Sequence, residues 1–276
     1  MQQAMQMAAA VLVLAVVSLS APVAIACGGE SACQVDGGKY YVIKPNELDL
    51  EGGIPAIFYL HGHRGSALNA VRNTAFQKLA SDLEVAFIAV QGVEGTWSFP
   101  TAPRNRRDEF TFFDRVLLDA EKRHGVDPVR TLLTGFSSGG FMTWYLACEN
   151  PGRFAGYAPI AGAFWVPLPR ECAAEPPFLF HVHGRTDTVV PLEGRALGGG
   201  RWHQGDVFDS FDIWVRQLGL ENKGAKSSDE RYGFECEYWA PQTGLLELCL
   251  HDGGHNLRTE WISRAWRKLA ELRHWR

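Results

Sequence analysis

The sequence predicts an α/β fold with a mainly parallel sheet, on three observations. Apolar runs of strand length recur along the chain, bounded by glycine or turn residues. Segments with helical spacing of apolar residues lie between them. The strand runs are apolar at nearly every position, not every second one, which marks strands buried on both faces.

The elements follow in order. Residues 39–44 (KYYVIK) read as an early strand, and 54–62 (IPAIFYLHG) as a buried strand that breaks at glycine. Residues 73–84 are helical, and 85–92 (VAFIAVQG) form another buried strand. Residues 110–125 make an amphipathic helix closing on Gly125. A strand at 129–135 (VRTLLTG) runs into a helix at 138–151, stopped by Pro151. Strands at 154–162 and 176–184 follow, then a helix at 205–219 with Asp206 as its cap. Residues 231–240 and 245–251 alternate like a hairpin around the turn residues Pro241-Gln242-Thr243-Gly244. Residues 259–275 form the last helix. The run Gly198-Gly199-Gly200 lacks the strand-to-helix setting of a phosphate-binding loop and reads as a flexible loop.

With 276 residues, 46% hydrophobic and 21% charged, the chain suits one large domain with a buried core. A net charge of −4 without a basic run argues against nucleic-acid binding. Residues 1–26 read as a secretory signal peptide ending at Ala24-Ile25-Ala26, which leaves residues 27–276 as the mature domain. An uncleaved membrane anchor and lipidation at Cys27 are the competing readings. Lipidation would strand one of six cysteines: Cys27, Cys33, Cys148, Cys172, Cys236 and Cys249. In an exported protein an even set implies disulfides. A hairpin symmetric about Gln242 and Thr243 sets Cys236 opposite Cys249. Cys27 with Cys33 closes a short loop, and Cys148 with Cys172 follows by elimination.

The chemistry starts at 135–139, GFSSG, a G-x-S-x-G pattern between a predicted strand and a predicted helix. So tight a turn has no room for side chains at Gly135 and Gly139. It lifts Ser137 to the carboxyl end of the sheet as a nucleophile, with the N–H of Ser138 aimed at a developing oxyanion. A serine needs a histidine to take its proton and a carboxylate to orient that histidine. Asp187 follows the strand at 176–184, and His255 lies between the last strand and the last helix. The second oxyanion donor is expected from the loop after 54–62, at His63 or Arg64, with His63 preferred. Ser138 as nucleophile would spoil the glycine spacing. Asp206, Asp209 and Asp252 are the other acids, Asp252 being too local to His255. His251 falls inside a strand, and His181 and His183 have no cysteine or carboxylate cluster that would indicate zinc. Trp97, in a loop after a strand, is a candidate pocket wall or a structural aromatic, with Trp165 and Trp202 as lesser candidates for the wall.

Several segments together resemble the α/β-hydrolase esterases of the polyhydroxybutyrate depolymerase and feruloyl or acetylxylan esterase kind. They are FYLHGHRGS, DEFTFFDRVL, RTLLTGFSSGGFMTWYLACENPGRFAGYAPIAG, HVHGRTDTVVPLEG and GGHN. The resemblance spans nearly all of the expected mature chain. It implies the α/β-hydrolase fold, the triad Ser137, Asp187 and His255, no metal or other cofactor, and an extracellular or periplasmic ester substrate. Many such proteins have cysteine where His63 stands, and Trp-Pro where Asn256-Leu257 follows His255. No polymer-binding module or Ser/Thr-rich linker is evident, which points to small or soluble esters. A peptidase of the same fold and a catalytically inactive binding protein are the alternatives.

Overall fold

The structure, a computed structural model, describes residues 27–45 and 52–275. The expected signal peptide lies outside the described residues. Among those residues, no helix is long and apolar enough to cross a membrane.

The centre is a run of parallel strands. β3 (Ile54–Leu60), β4 (Ala86–Val90), β5 (Val126–Phe136), β6 (Gly156–Ile160), β8 (Phe178–Gly184) and β13 (Leu245–His251) stand in the order β4-β3-β5-β6-β8-β13. Antiparallel strands extend both edges. β1 (Cys33–Val35) and β2 (Gly38–Ile43) lie outside β4, while β12 (Phe234–Trp239) and β11 (Ala225–Asp229) lie outside β13. A separate small sheet joins β7 (Trp165–Val166), β10 (Trp202–Gln204) and β9 (Arg195–Leu197), in that order.

Alternation along the buried strands builds two cores. Ala56, Phe58 and Leu60 enter one cluster, with α3 (Glu109–His124), α4 (Ser138–Glu149) and α5 (Val207–Gln217) covering that face. Ile57 and Tyr59 enter the other, under α1 (Ala67–Arg72), α2 (Thr74–Leu83) and α6 (Thr259–Leu272). Helices on both faces of a mostly parallel sheet make this the α/β-hydrolase fold that the sequence predicts. The helix after the elbow, α4, is buried from Ser138 through Cys148, which explains its near absence of charge.

Local signals behave as their chemistry dictates. Asp206 caps α5, accepting from the N–H groups of Phe208 and Asp209. Gly125 ends α3 in the left-handed region, at φ 71°. In the hairpin, Cys236 is the register partner of Cys249, and the two are disulfide-bonded with Cα atoms 4.1 Å apart. Cys27 is bonded to Cys33, and Cys148, near the end of α4, to Cys172. Gly198, Gly199 and Gly200 all have positive φ and make the turn between β9 and β10.

Candidate active site

Four parallel strands, β3, β5, β8 and β13, deliver His63, Ser137, Asp187 and His255 just beyond their carboxyl ends. That edge is where open α/β sheets place their ligands.

Ser137 joins β5 to α4 at φ 57° and ψ −116°, a strained conformation for a residue with a side chain. Its N–H is anchored on the Ile160 carbonyl at 3.0 Å, while its side chain makes no capping bond. The flanking glycines answer to contact. A Cβ on Gly135 would sit 2.3 Å from the Gly139 carbonyl oxygen, and one on Gly139 would sit 2.1 Å from that of Leu60. Each addition would force backbone apart.

The Asp187 side chain is fully buried, and both of its carboxylate oxygens are engaged. Oδ1 accepts from the N–H groups of Val189 and Val190, each at 2.8 Å. Oδ2 accepts from His255 Nδ1 at 2.6 Å. Burial raises the carboxyl pKa, but the His255 hydrogen bond and charge and the two backbone donors outweigh burial and hold it below its ordinary value. A carboxylate only accepts, so the His255 proton sits on Nδ1 and Nε2 is left as a base. The Phe136 ring supports the imidazole, centroid to centroid at 4.6 Å. Of the competing acids, Asp206 is occupied as a cap and the Asp252 side chain is wholly exposed.

Behind Asp187 runs a buried chain of donors. The Trp144 indole N–H donates to His181 Nδ1 at 3.3 Å. His181 Nε2 and His183 Nδ1 are 3.0 Å apart, and His183 Nε2 is 2.7 Å from the Val190 carbonyl oxygen. The carbonyl can only accept, so His183 carries its proton on Nε2, and His181 donates from Nε2 to His183 Nδ1. Both rings are therefore neutral. Burial pushes both pKa values down, His181 well down, since a proton there would also be repelled by one on His183. Burial also lowers His61, His124 and His251, whereas it raises Glu109, which acts in the opposite sense.

The sign of the pH effect follows. Below the unfolded histidine value of about 6.5, the unfolded chain binds protons that these buried rings refuse. Stability is thus fully present above that value and is lost as pH falls beneath it. Each imidazole that stays neutral contributes a slope of up to ~1.4 kcal/mol per pH unit. The melting temperature should change little between pH 7.5 and about pH 6.5 and then fall toward pH 5. A flat profile across that range would contradict the neutral assignments.

The loop after β3 is equally well anchored. His61 Nε2 accepts from the Gly92 N–H at 3.0 Å, and its Nδ1 donates to the Gly62 carbonyl at 2.9 Å. Gly62 to Gly65 close a turn, with Arg64 at φ 60°. The Arg64 N–H is spent on the Gly95 carbonyl at 2.8 Å. The His63 N–H has no acceptor among the described residues, and the Ser138 N–H is in the first turn of α4, where a helix has no internal acceptor. Of the two candidate donors in this loop, His63 is the free one.

A cavity of about 310 Å³ opens beside Ser137 and Ser138, walled by Trp97, Phe99, Phe141 and Trp165. Trp97 has a second, structural task. It is only 1% exposed, and its indole N–H holds the His61 carbonyl at 2.9 Å. Trp165 lines the cavity, whereas Trp202 lies against Gly198 at the β9–β10 turn. Arg195 and Gln204 also line the cavity. Among the described residues, the two clusters with metal-ligand spacing are Cys27–Cys33–His124 and Cys236–Glu247–Cys249. The sulfurs of each are tied in a disulfide, so neither offers a thiolate, the sulfur species that binds metal.

The Phospholipase/Carboxylesterase family model matches residues 112–197, the segment holding Ser137 and Asp187. The chain is 33% identical to the putative esterase NocK of Nocardia uniformis over 154 residues, 54% of this chain and 45% of NocK. It is 25% identical to a probable feruloyl esterase C of Aspergillus clavatus over 225 residues, 79% of this chain and 76% of that one. The first curated relatives are matched over 45–59% of their own length. Among solved structures, an acetyl xylan esterase from Aspergillus awamori superposes with a TM-score of 0.61 at 14% identity, covering 84% of this chain and 94% of that one. This last likeness shows the shared fold.

Proposed function

We infer that this chain, an α/β-hydrolase of the feruloyl esterase and polyhydroxybutyrate depolymerase family, hydrolyses carboxylic esters through an acyl-enzyme on Ser137. The observation that carries the reading is the 2.6 Å hydrogen bond between His255 Nδ1 and an Asp187 carboxylate fixed by two backbone N–H groups. It holds His255 in the one tautomer that can act as a base toward serine.

His255 Nε2 takes the Ser137 proton as the hydroxyl oxygen bonds to the ester carbonyl carbon. Asp187 stabilises the imidazolium that results. The N–H groups of Ser138 and His63 receive the negative charge on the carbonyl oxygen. The tetrahedral intermediate collapses, the bond to the alcohol oxygen breaks, and His255 returns the proton to that oxygen. Water then enters, gives a proton to His255, and releases the acid by the same path in reverse.

The mostly apolar cavity suits small or soluble esters. Three disulfides fit an oxidising compartment, so we place the mature domain, residues 27–276, outside the cytoplasm after removal of residues 1–26. The test is labelling with a fluorophosphonate followed by peptide mass mapping, beside turnover of p-nitrophenyl acetate and the matching anilide. An adduct on Ser137 with ester cleavage supports the reading. Faster anilide cleavage would make the protein a peptidase. No adduct and no turnover would make it a binding protein.

A further inference from the structure

The small sheet carries a feature that general ester hydrolysis does not require. Arg195 is the register partner of Gln204, and Gln204 is the register partner of Trp165. Neighbours in one row across a sheet present their side chains on one face. All three line the cavity beside Ser137.

The row is rich in donors. Arg195 Nε donates to Gln204 Oε1 at 3.2 Å, and Arg195 Nη1 donates to the Thr188 carbonyl at 3.3 Å. Both acceptors are neutral, and no carboxylate among the described residues pairs with this guanidinium. The other cation in the wall, Arg104, is paired with Glu94. The Gln204 carbonyl is used by Arg195, which leaves its amide N–H groups as donors. The Trp165 indole N–H is buried with no acceptor among the described residues. No aspartate or glutamate lines the cavity. A guanidinium, an amide and an indole N–H in one row, without a countercharge, are the complement of an anionic oxygen pair.

We propose that this row binds a carboxylate carried by the substrate, so that the preferred esters are monoanionic: half-esters of dicarboxylic acids, or esters whose alcohol bears a carboxylate. The proposal rests on Ser137 as the nucleophile. Aromatic walls would hold the carbon skeleton, and the row would fix the charged end and set which carbonyl faces Ser137. Apolar surroundings strengthen such a contact relative to water.

The experiment compares kcat/KM for charged and neutral isosteres. One arm puts the charge on the acyl side, mono-p-nitrophenyl succinate against its methyl ester. The other puts it on the alcohol side, 4-acetoxybenzoate against methyl 4-acetoxybenzoate. The native enzyme should prefer the anion in at least one arm, and that arm identifies the source. In that arm, Arg195→Gln should cut the anion-to-neutral ratio about tenfold, the weight of a charged hydrogen bond at a partly exposed site. Arg195→Lys should restore part of the ratio, and added salt should erode it in the native enzyme. A purely structural role for Arg195 would move both members of a pair together and leave the ratio alone. The proposal is overturned if the native enzyme favours the neutral ester in both arms, or if the preference survives Arg195→Gln. A Ser137→Ala enzyme that still turns over the neutral esters would instead overturn the nucleophile assignment.

Discussion

Replacing Ser137 with alanine should lower kcat/KM for p-nitrophenyl acetate by about 10⁴- to 10⁶-fold while leaving the melting temperature nearly unchanged. The rate loss follows because no other hydroxyl occupies the elbow position. The residue behind it, Ser138, has a buried hydroxyl with no partner among the described residues and contributes to the proposed chemistry through its backbone N–H. The stability should persist because the Ser137 side chain makes no capping bond, and its N–H bond to Ile160 is a backbone contact that alanine keeps. Alanine meets the same positive φ that serine already tolerates. Residual turnover should come from the oxyanion donors and the cavity alone. Ser138→Ala is the control, with a small effect on rate expected. Kinetics and thermal melts on the two variants decide the matter, and native-like rates in Ser137→Ala would end the nucleophile assignment.

The sequence made the parallel sheet and the elbow legible because both are short-range statements. A buried strand reads as an apolar run, and the tight turn announces itself through Gly135 and Gly139, whose places no side chain can take. The hairpin register was equally open, since turn residues and alternation fix which side chains face each other. The small sheet was not. β7, β9 and β10 have two or three residues each, too few for any period to appear. Arg195, Gln204 and Trp165 come from three separate segments, so their common row exists only after folding. Trp97 was visible as a pocket aromatic, yet its bond to the His61 carbonyl depends on a contact spanning 36 positions. His181 and His183 offered one signal, their two-residue spacing on a strand just before Asp187, which puts both rings on one face. That they are neutral and directional follows only from the Val190 carbonyl at the end of the chain of bonds.

Asp187→Asn should be nearly as damaging as loss of the serine, with kcat/KM down about 10⁴-fold and the fold intact. Asparagine is almost the same shape, so the effect must come from hydrogens. In the native site Oδ1 faces two N–H donors, from Val189 and Val190, and Oδ2 faces His255 Nδ1. An asparagine has one oxygen and one amide nitrogen to divide between these positions. Turning the NH₂ toward Val189 and Val190 would set donor against donor at two bonds. The lower-energy orientation keeps the oxygen there and points the NH₂ at His255. That group donates, so Nδ1 must accept, and the imidazole proton moves to Nε2. His255 then presents an N–H where the mechanism needs a lone pair. The bond to the ring survives while its polarity is reversed, so substrate binding and KM should change little and the loss should fall on kcat. The wall of backbone donors makes this outcome specific: if Val189 and Val190 did not fix the amide, it could flip and partial activity would return. A variant retaining more than about a tenth of native kcat/KM would show that Asp187 does not set the tautomer of His255.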